Sequence, residues 1–88
     1  HNVIALPQGR FAIRTDAVGV LRAEPGNLQG NIVGIEYQGA HVSILARIAG
    51  DQEISALIPE DTFFNNPMNP GDQIGLIWDD ANLHKLTA

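Results

Sequence analysis

The sequence predicts an all-β fold: a small antiparallel barrel, closed or nearly closed, of about five to seven short strands. Three observations lead there. Apolar residues alternate with polar or small ones over several short runs, the period of half-buried strands. Breakers containing Gly, Pro, Asn and Asp separate these runs. Helical spacing is not sustained anywhere along the 88 residues. A chain of this length closes about one barrel-sized core, so residues 1–88 are expected to form a single domain.

Taken in chain order, Val3 to Leu6 reads as an edge strand. Phe11 to Arg14 and Val18 to Arg22 read as extended, with a bend or single helical turn at Thr15 and Asp16. Ile32 to Tyr37 is β-branched and aromatic, bounded by Gly30 and by a turn at Gln38, Gly39 and Ala40. It is expected to pair with the strand that starts at His41. In that strand Val42, Ile44, Ala46 and Ile48 line one face, while Ser43, Leu45 and Arg47 line the other. Ile54, Ala56 and Ile58 repeat the pattern after a hairpin turn at Gly50 and Asp51.

From Pro59 to Pro70 the chain holds three prolines, three asparagines and the pair Phe63 and Phe64. Neither a regular strand nor a regular helix is expected to run through it. The breaker Asn69, Pro70, Gly71, Asp72 precedes a strand in which Ile74, Leu76 and Trp78 alternate with Gln73, Gly75 and Ile77. A last short strand is expected around Leu83 to Leu86.

Composition narrows the function. An apolar fraction of 44% against 17% charged residues belongs to a folded chain with a real core. The net charge of −5 opposes binding to nucleic acid or anionic lipid, which rewards the opposite sign. No cysteine is present, which excludes disulfides and Cys-ligated zinc and leans towards a reducing compartment. No apolar run approaches the roughly 18 residues of a membrane helix. The chain opens on His1 and Asn2 instead of Met, so it is expected to be cut from a longer polypeptide.

No constellation of catalytic residues stands out. His1, His41 and His84 are far apart and lack partners at metal-ligand spacing. The pairs Glu60-Asp61 and Asp79-Asp80 are adjacent, so on extended backbone they point to opposite sides and suit turns and caps better than acid–base chemistry. Ser43 and Ser55, the only serines, sit in no nucleophile elbow. The glycines form no phosphate-binding loop. Of the five aromatics, Phe11, Tyr37, Phe63, Phe64 and Trp78, most are needed inside a small barrel. Phe63 and Phe64 are the exception, because two neighbouring rings in one connection do not both turn inward easily. One of them is expected to be exposed as a contact residue or to cover a barrel end.

A family pattern runs through these residues in order. Ala12-Ile13-Arg14-Thr15-Asp16-Ala17-Val18 resembles the Ile-Arg-Pro-Glu-x-Val segment in the C-terminal part of the ATP-binding subunits of bacterial ABC importers. Leu28-x-Gly30, the strand to Tyr37 and Gly39-x-His41 are similar to that family's next segment. Pro70-Gly71-Asp72-Gln73-Ile74-Gly75-Leu76, Trp78-Asp79 and His84-x-Leu86 are similar to its ending. The likeness spans roughly residues 10 to 87 and identifies the chain as a member of the TOBE family, the transport-associated OB-like domains.

The resemblance implies an OB-like antiparallel barrel appended to a nucleotide-binding domain at the cytoplasmic face of the inner membrane. It implies an accessory or regulatory role in solute uptake, through contacts with the ATPase subunit or its dimer mate and indirectly with the membrane subunits. The nearest resemblance is to importers of polyamines, ferric iron and related solutes. ATP and Mg would belong to the parent's nucleotide-binding domain, since the Walker and signature segments are missing here. No cofactor, metal or catalysis is expected in this domain, and self-pairing into a homodimer is possible for a barrel separated from its neighbours.

Thr15 and Asp16 replace the family's Pro-Glu, and Asp80 stands where proline is common. The Ser-Ala-Arg-Asn segment of the oxyanion-binding branch has only Asn27 as a counterpart, which argues against molybdate or tungstate. The alternative is a sensor of a small sugar, polyamine or oxyanion, with Tyr37, Trp78 and His84 suited to stacking on a neutral or cationic ligand. Phe63 and Phe64 are the leading candidates for contact with a protein partner.

Overall fold

A computed structural model of the chain describes residues 1–86. Its strands are β1 (Asn2–Leu6), β2 (Gly9–Ile13), β3 (Gly19–Arg22), β4 (Leu28–Tyr37), β5 (His41–Ile48), β6 (Gln52–Pro59), β7 (Gln73–Ile77) and β8 (His84–Lys85). One short helix, α1 (Glu60–Asn65), follows β6. The strands form two antiparallel sheets, with orders β1-β2-β8 and β3-β7-β4-β5-β6.

The hairpin of β5 and β6 follows directly from its alternating pattern. Val42, Ile44, Ala46 and Ile48 are buried on one face, beside Ile54, Ala56 and Ile58 across the ladder. The connection is tight, with Gly50 at φ +78° and Asp51 at φ +59°. Both lie in the left-handed region that glycine enters freely and Asp tolerates. The bend expected after Arg14 is a 3-10 turn over Thr15–Ala17.

β4 holds the larger sheet together. Leu28 to Asn31 pair with β7, and Asn31 to Tyr37 pair with β5. A bulge between Ile32 and Gly34 shifts the register, so the strand bends and serves both neighbours. The sequence places the start of this strand at Ile32, whereas it starts at Leu28. Gly30, which reads as a boundary, is instead a close-approach position: a Cβ there would lie 3.0 Å from the Arg47 carbonyl oxygen.

The expected barrel is not closed by backbone pairing; the two sheets meet at a seam made by side chains. The Asn2 side chain, only 7% exposed, donates through Nδ2 to the Ser55 carbonyl (2.7 Å) and accepts from the Ser55 N–H (2.8 Å). Gln52 does the same in the other direction, donating to the Ala5 carbonyl (3.1 Å) and accepting from the Ala5 N–H (2.6 Å). Two amide side chains thus stand between the edges of β1 and β6 and satisfy backbone groups that would otherwise lack partners. At the far ends of the sheets, β3 and β8 do not pair with each other among the described residues. The smaller sheet still covers the core, contributing Ile4, Phe11 and Ile13.

The segment after β6 departs from expectation, because Glu60–Asn65 is helical. Pro59 fixes extended backbone just before it (φ −60°, ψ 146°), and Glu60 and Asp61 place acids in the first turn, where the helix dipole favours them. The Glu60 N–H donates to the Ala40 carbonyl (2.9 Å), tying the helix to the β4–β5 turn. Asn66 leaves helical geometry and Pro67 follows, so the helix is confined between two prolines. Phe63 is 2% exposed and Phe64 55% exposed.

Asn2→Ala is expected to destabilise the fold by about 2 kcal/mol in urea unfolding, because it orphans both backbone groups of Ser55. Gln52→Ala, at the exposed end of the seam, is expected to cost about 1 kcal/mol or less. Phe63→Ala is expected to cost about 3–5 kcal/mol, whereas Phe64→Ala should lose about 1 kcal/mol. Equal losses at the two phenylalanines would contradict the packing described.

Candidate functional site: an aromatic contact surface

The turn from β4 to β5 and helix α1 lie at the same end of the larger sheet. Tyr37 pairs with Val42, and His41 pairs with Pro59, the residue before the helix. This register brings Tyr37 beside Phe63 and Phe64. The Tyr37 and Phe64 rings are stacked, with centroids 6.2 Å apart and planes 12° from parallel. Each meets Phe63 edge-on, at 5.7 Å from Tyr37 and 5.5 Å from Phe64. Offset-stacked and edge-to-face geometries are the favourable ones for aromatic rings.

The consequence is an exposed aromatic pair on a fixed base. Tyr37 is 62% exposed, yet its ring and that of Phe64 rest on a side chain locked in the core. Large apolar groups held rigid at the surface lose little conformational entropy when a partner covers them. Glu60 and Asp61 are exposed on the same short helix as Phe64, so the pair has acidic neighbours. Its complement would be an apolar recess with basic surroundings.

The other residues singled out from the sequence do not join this surface. Trp78 is half-buried against the core beyond the end of β7, and His84 is exposed on β8, opposite Ala12. Among the described residues, Trp78 takes part in no aromatic pair. Tyr37, Trp78 and His84 thus sit on three different strands or strand ends, with no ring contact between Tyr37 and Trp78 among the described residues. Of the aromatics expected inside, Phe11 is buried and Trp78 half-buried, while Tyr37 is exposed; of the Phe63–Phe64 pair one is buried and one exposed, as expected. The ring contacts of Tyr37 with Phe63 and Phe64 follow from the register of two successive hairpins, which sets Tyr37 against the start of α1.

Chemistry is sparse elsewhere. No cluster of three His, Asp or Glu residues able to hold a metal ion occurs among the described residues. Arg14 is paired with Asp16 at 2.8 Å and Arg47 with Glu53 at 3.1 Å, both at the surface. No described helix is long and apolar enough to cross a membrane.

Comparison with known proteins bears on both fold and family. A solved structure of ModG, a cytoplasmic molybdate-binding protein in its molybdate-bound form, superposes with a TM-score of 0.76 at 15% sequence identity. The match covers 84% of this chain and 57% of the ModG chain, and at this identity it speaks for a shared fold. A search among curated protein sequences gave no match. The family model for the TOBE domain matches residues 11–86. With nearly the whole chain inside that match, and an OB-like arrangement of antiparallel strands beneath it, the chain belongs to the TOBE domain family.

Proposed function

We propose that this TOBE domain is the accessory C-terminal module of the ATP-binding subunit of an ABC importer, and that it docks on the ATPase subunit or its dimer mate. The carrying observation is the exposed Tyr37–Phe64 stack seated on buried Phe63. It has the composition and rigidity of a protein-contact anchor. The likeness of the segments Ala12–Val18 and Pro70–Leu86 to importer ATP-binding subunits supplies the context. In this reading ATP and Mg are handled by the nucleotide-binding part of the parent, at the cytoplasmic side of the inner membrane. The domain contributes spacing and control.

A second reading, a small-ligand-binding domain, is favoured by the fold shared with a molybdate-binding protein. Against a dianionic oxyanion stand the net charge of −5 and the engagement of two of the four arginines, Arg14 and Arg47, in ion pairs. A dianion held in a protein normally recruits several free donors or cations.

In the full ATP-binding subunit, amide exchange over residues 37–42 and 60–66 is expected to be slower than in the isolated chain. The double variant Tyr37→Ser/Phe64→Ser should remove that protection and weaken assembly about tenfold or more, with the isolated chain free of ATPase activity throughout. Identical exchange in the two contexts would count against the docking surface. Tight calorimetric binding of molybdate, sulfate, a sugar or a polyamine to the 88-residue chain would promote the second reading instead.

A further inference from the structure

Helix α1 also borders a cleft, on a side distinct from its aromatic surface. The cleft has a volume of about 310 Å³ and lies between β3, the end of β6, α1 and the loop entering β7. That is the lower end of the ~300–1,000 Å³ range of small-molecule pockets. Its lining divides by chemistry. Ile58 and Ile74 are buried and Met68 is half-buried, and together they offer an apolar, adaptable wall. Arg22, Thr62 and Asn66 are exposed and bring donors to the same cleft.

Arg22 is the cation of this cleft, and it is uncommitted. Unlike Arg14 and Arg47, it makes no ion pair and no side-chain hydrogen bond among the described residues. The one carboxylate on the lining, Asp72, accepts the Asn69 N–H at 2.9 Å and so stabilises the turn before β7. A single planar guanidinium matches one carboxylate in bidentate fashion. A dianion would meet Asp72 with only one cation to offset it. An alkyl group, by contrast, finds the wall of Ile58, Ile74 and Met68.

We propose that this cleft binds a short aliphatic carboxylic acid, its carboxylate on Arg22 with the Thr62 hydroxyl and Asn66 amide beside it, and its alkyl chain on Met68, Ile58 and Ile74. The cleft and the docking surface share α1, but Arg22→Gln leaves Tyr37, Phe63 and Phe64 in place, so the two readings fail separately.

The test is titration of the 88-residue chain, followed by backbone amide NMR, with three probes that share one branched alkyl body: 3-methylbutanoate, leucine and 3-methylbutylamine. Saturable shifts of the Arg22, Thr62 and Asn66 amides are expected with 3-methylbutanoate. Arg22→Gln should weaken them about tenfold or more, while Arg10→Gln, on the other sheet, should leave them unchanged. Binding of leucine as well would extend the class to α-amino acids. The amine binding as tightly as the acid, molybdate competing through Arg22, shifts confined to other residues, or no saturation up to roughly 10 mM would each overturn the proposal.

Discussion

The seam between β1 and β6 is the constraint on which the rest of the molecule depends. The smaller sheet has three strands, one of them only two residues long, and a sheet of that size is marginal on its own. Asn2 and Gln52 attach it to the larger sheet by reading backbone N–H and C=O groups in pairs. An amide side chain carries a donor and an acceptor in nearly the arrangement of a peptide group. It can therefore stand in for a strand where the two edges are too far apart to pair directly. With the seam made, Ile4 is carried onto the core and β6 is held where its last residue, Pro59, launches α1.

Helix α1 and the residue that ends it gather the surface features. Phe63 anchors the helix, Phe64 forms half of the exposed aromatic stack, and Thr62 with Asn66, just past the helix end, borders the cleft beside Arg22. Such economy is possible because the helix is short and tied at its start to the Ala40 carbonyl. Its side chains project to several sides within less than two turns.

Much of the architecture was legible in the sequence, because strand faces are written in period-two alternation. The β5–β6 hairpin, its turn at Gly50 and Asp51 and the strand before Trp78 all follow from local patterns. The family motifs from Ile13 to Leu86 gave the fold. What was illegible depends on distant partners. The start of β4 at Leu28 is masked by Gln29, Gly30 and Asn31, whose fit is decided by β7 and by the Arg47 carbonyl. The helix hides in a segment whose prolines flank it without entering it. Asn2 and Gln52 look like ordinary polar residues until the sheets are juxtaposed. At the candidate surface, the split between Phe63 and Phe64 could be anticipated from adjacency alone. Tyr37 joining them, and Trp78 and His84 standing apart, could not.

The seam also sets an order of events as the chain folds. Asn2 is separated from Ser55 by 53 positions and Ala5 from Gln52 by 47, so β1 is synthesised well before its partners on β6. β1 can form a hairpin with β2 at once, but contacts of such sequence separation must await the rest of the chain. The β5–β6 hairpin, local and rich in β-branched residues, is the natural template. β1, the earliest strand of this domain in chain order, is then the last to be locked, and the smaller sheet closes over a core that the larger one has already begun to build.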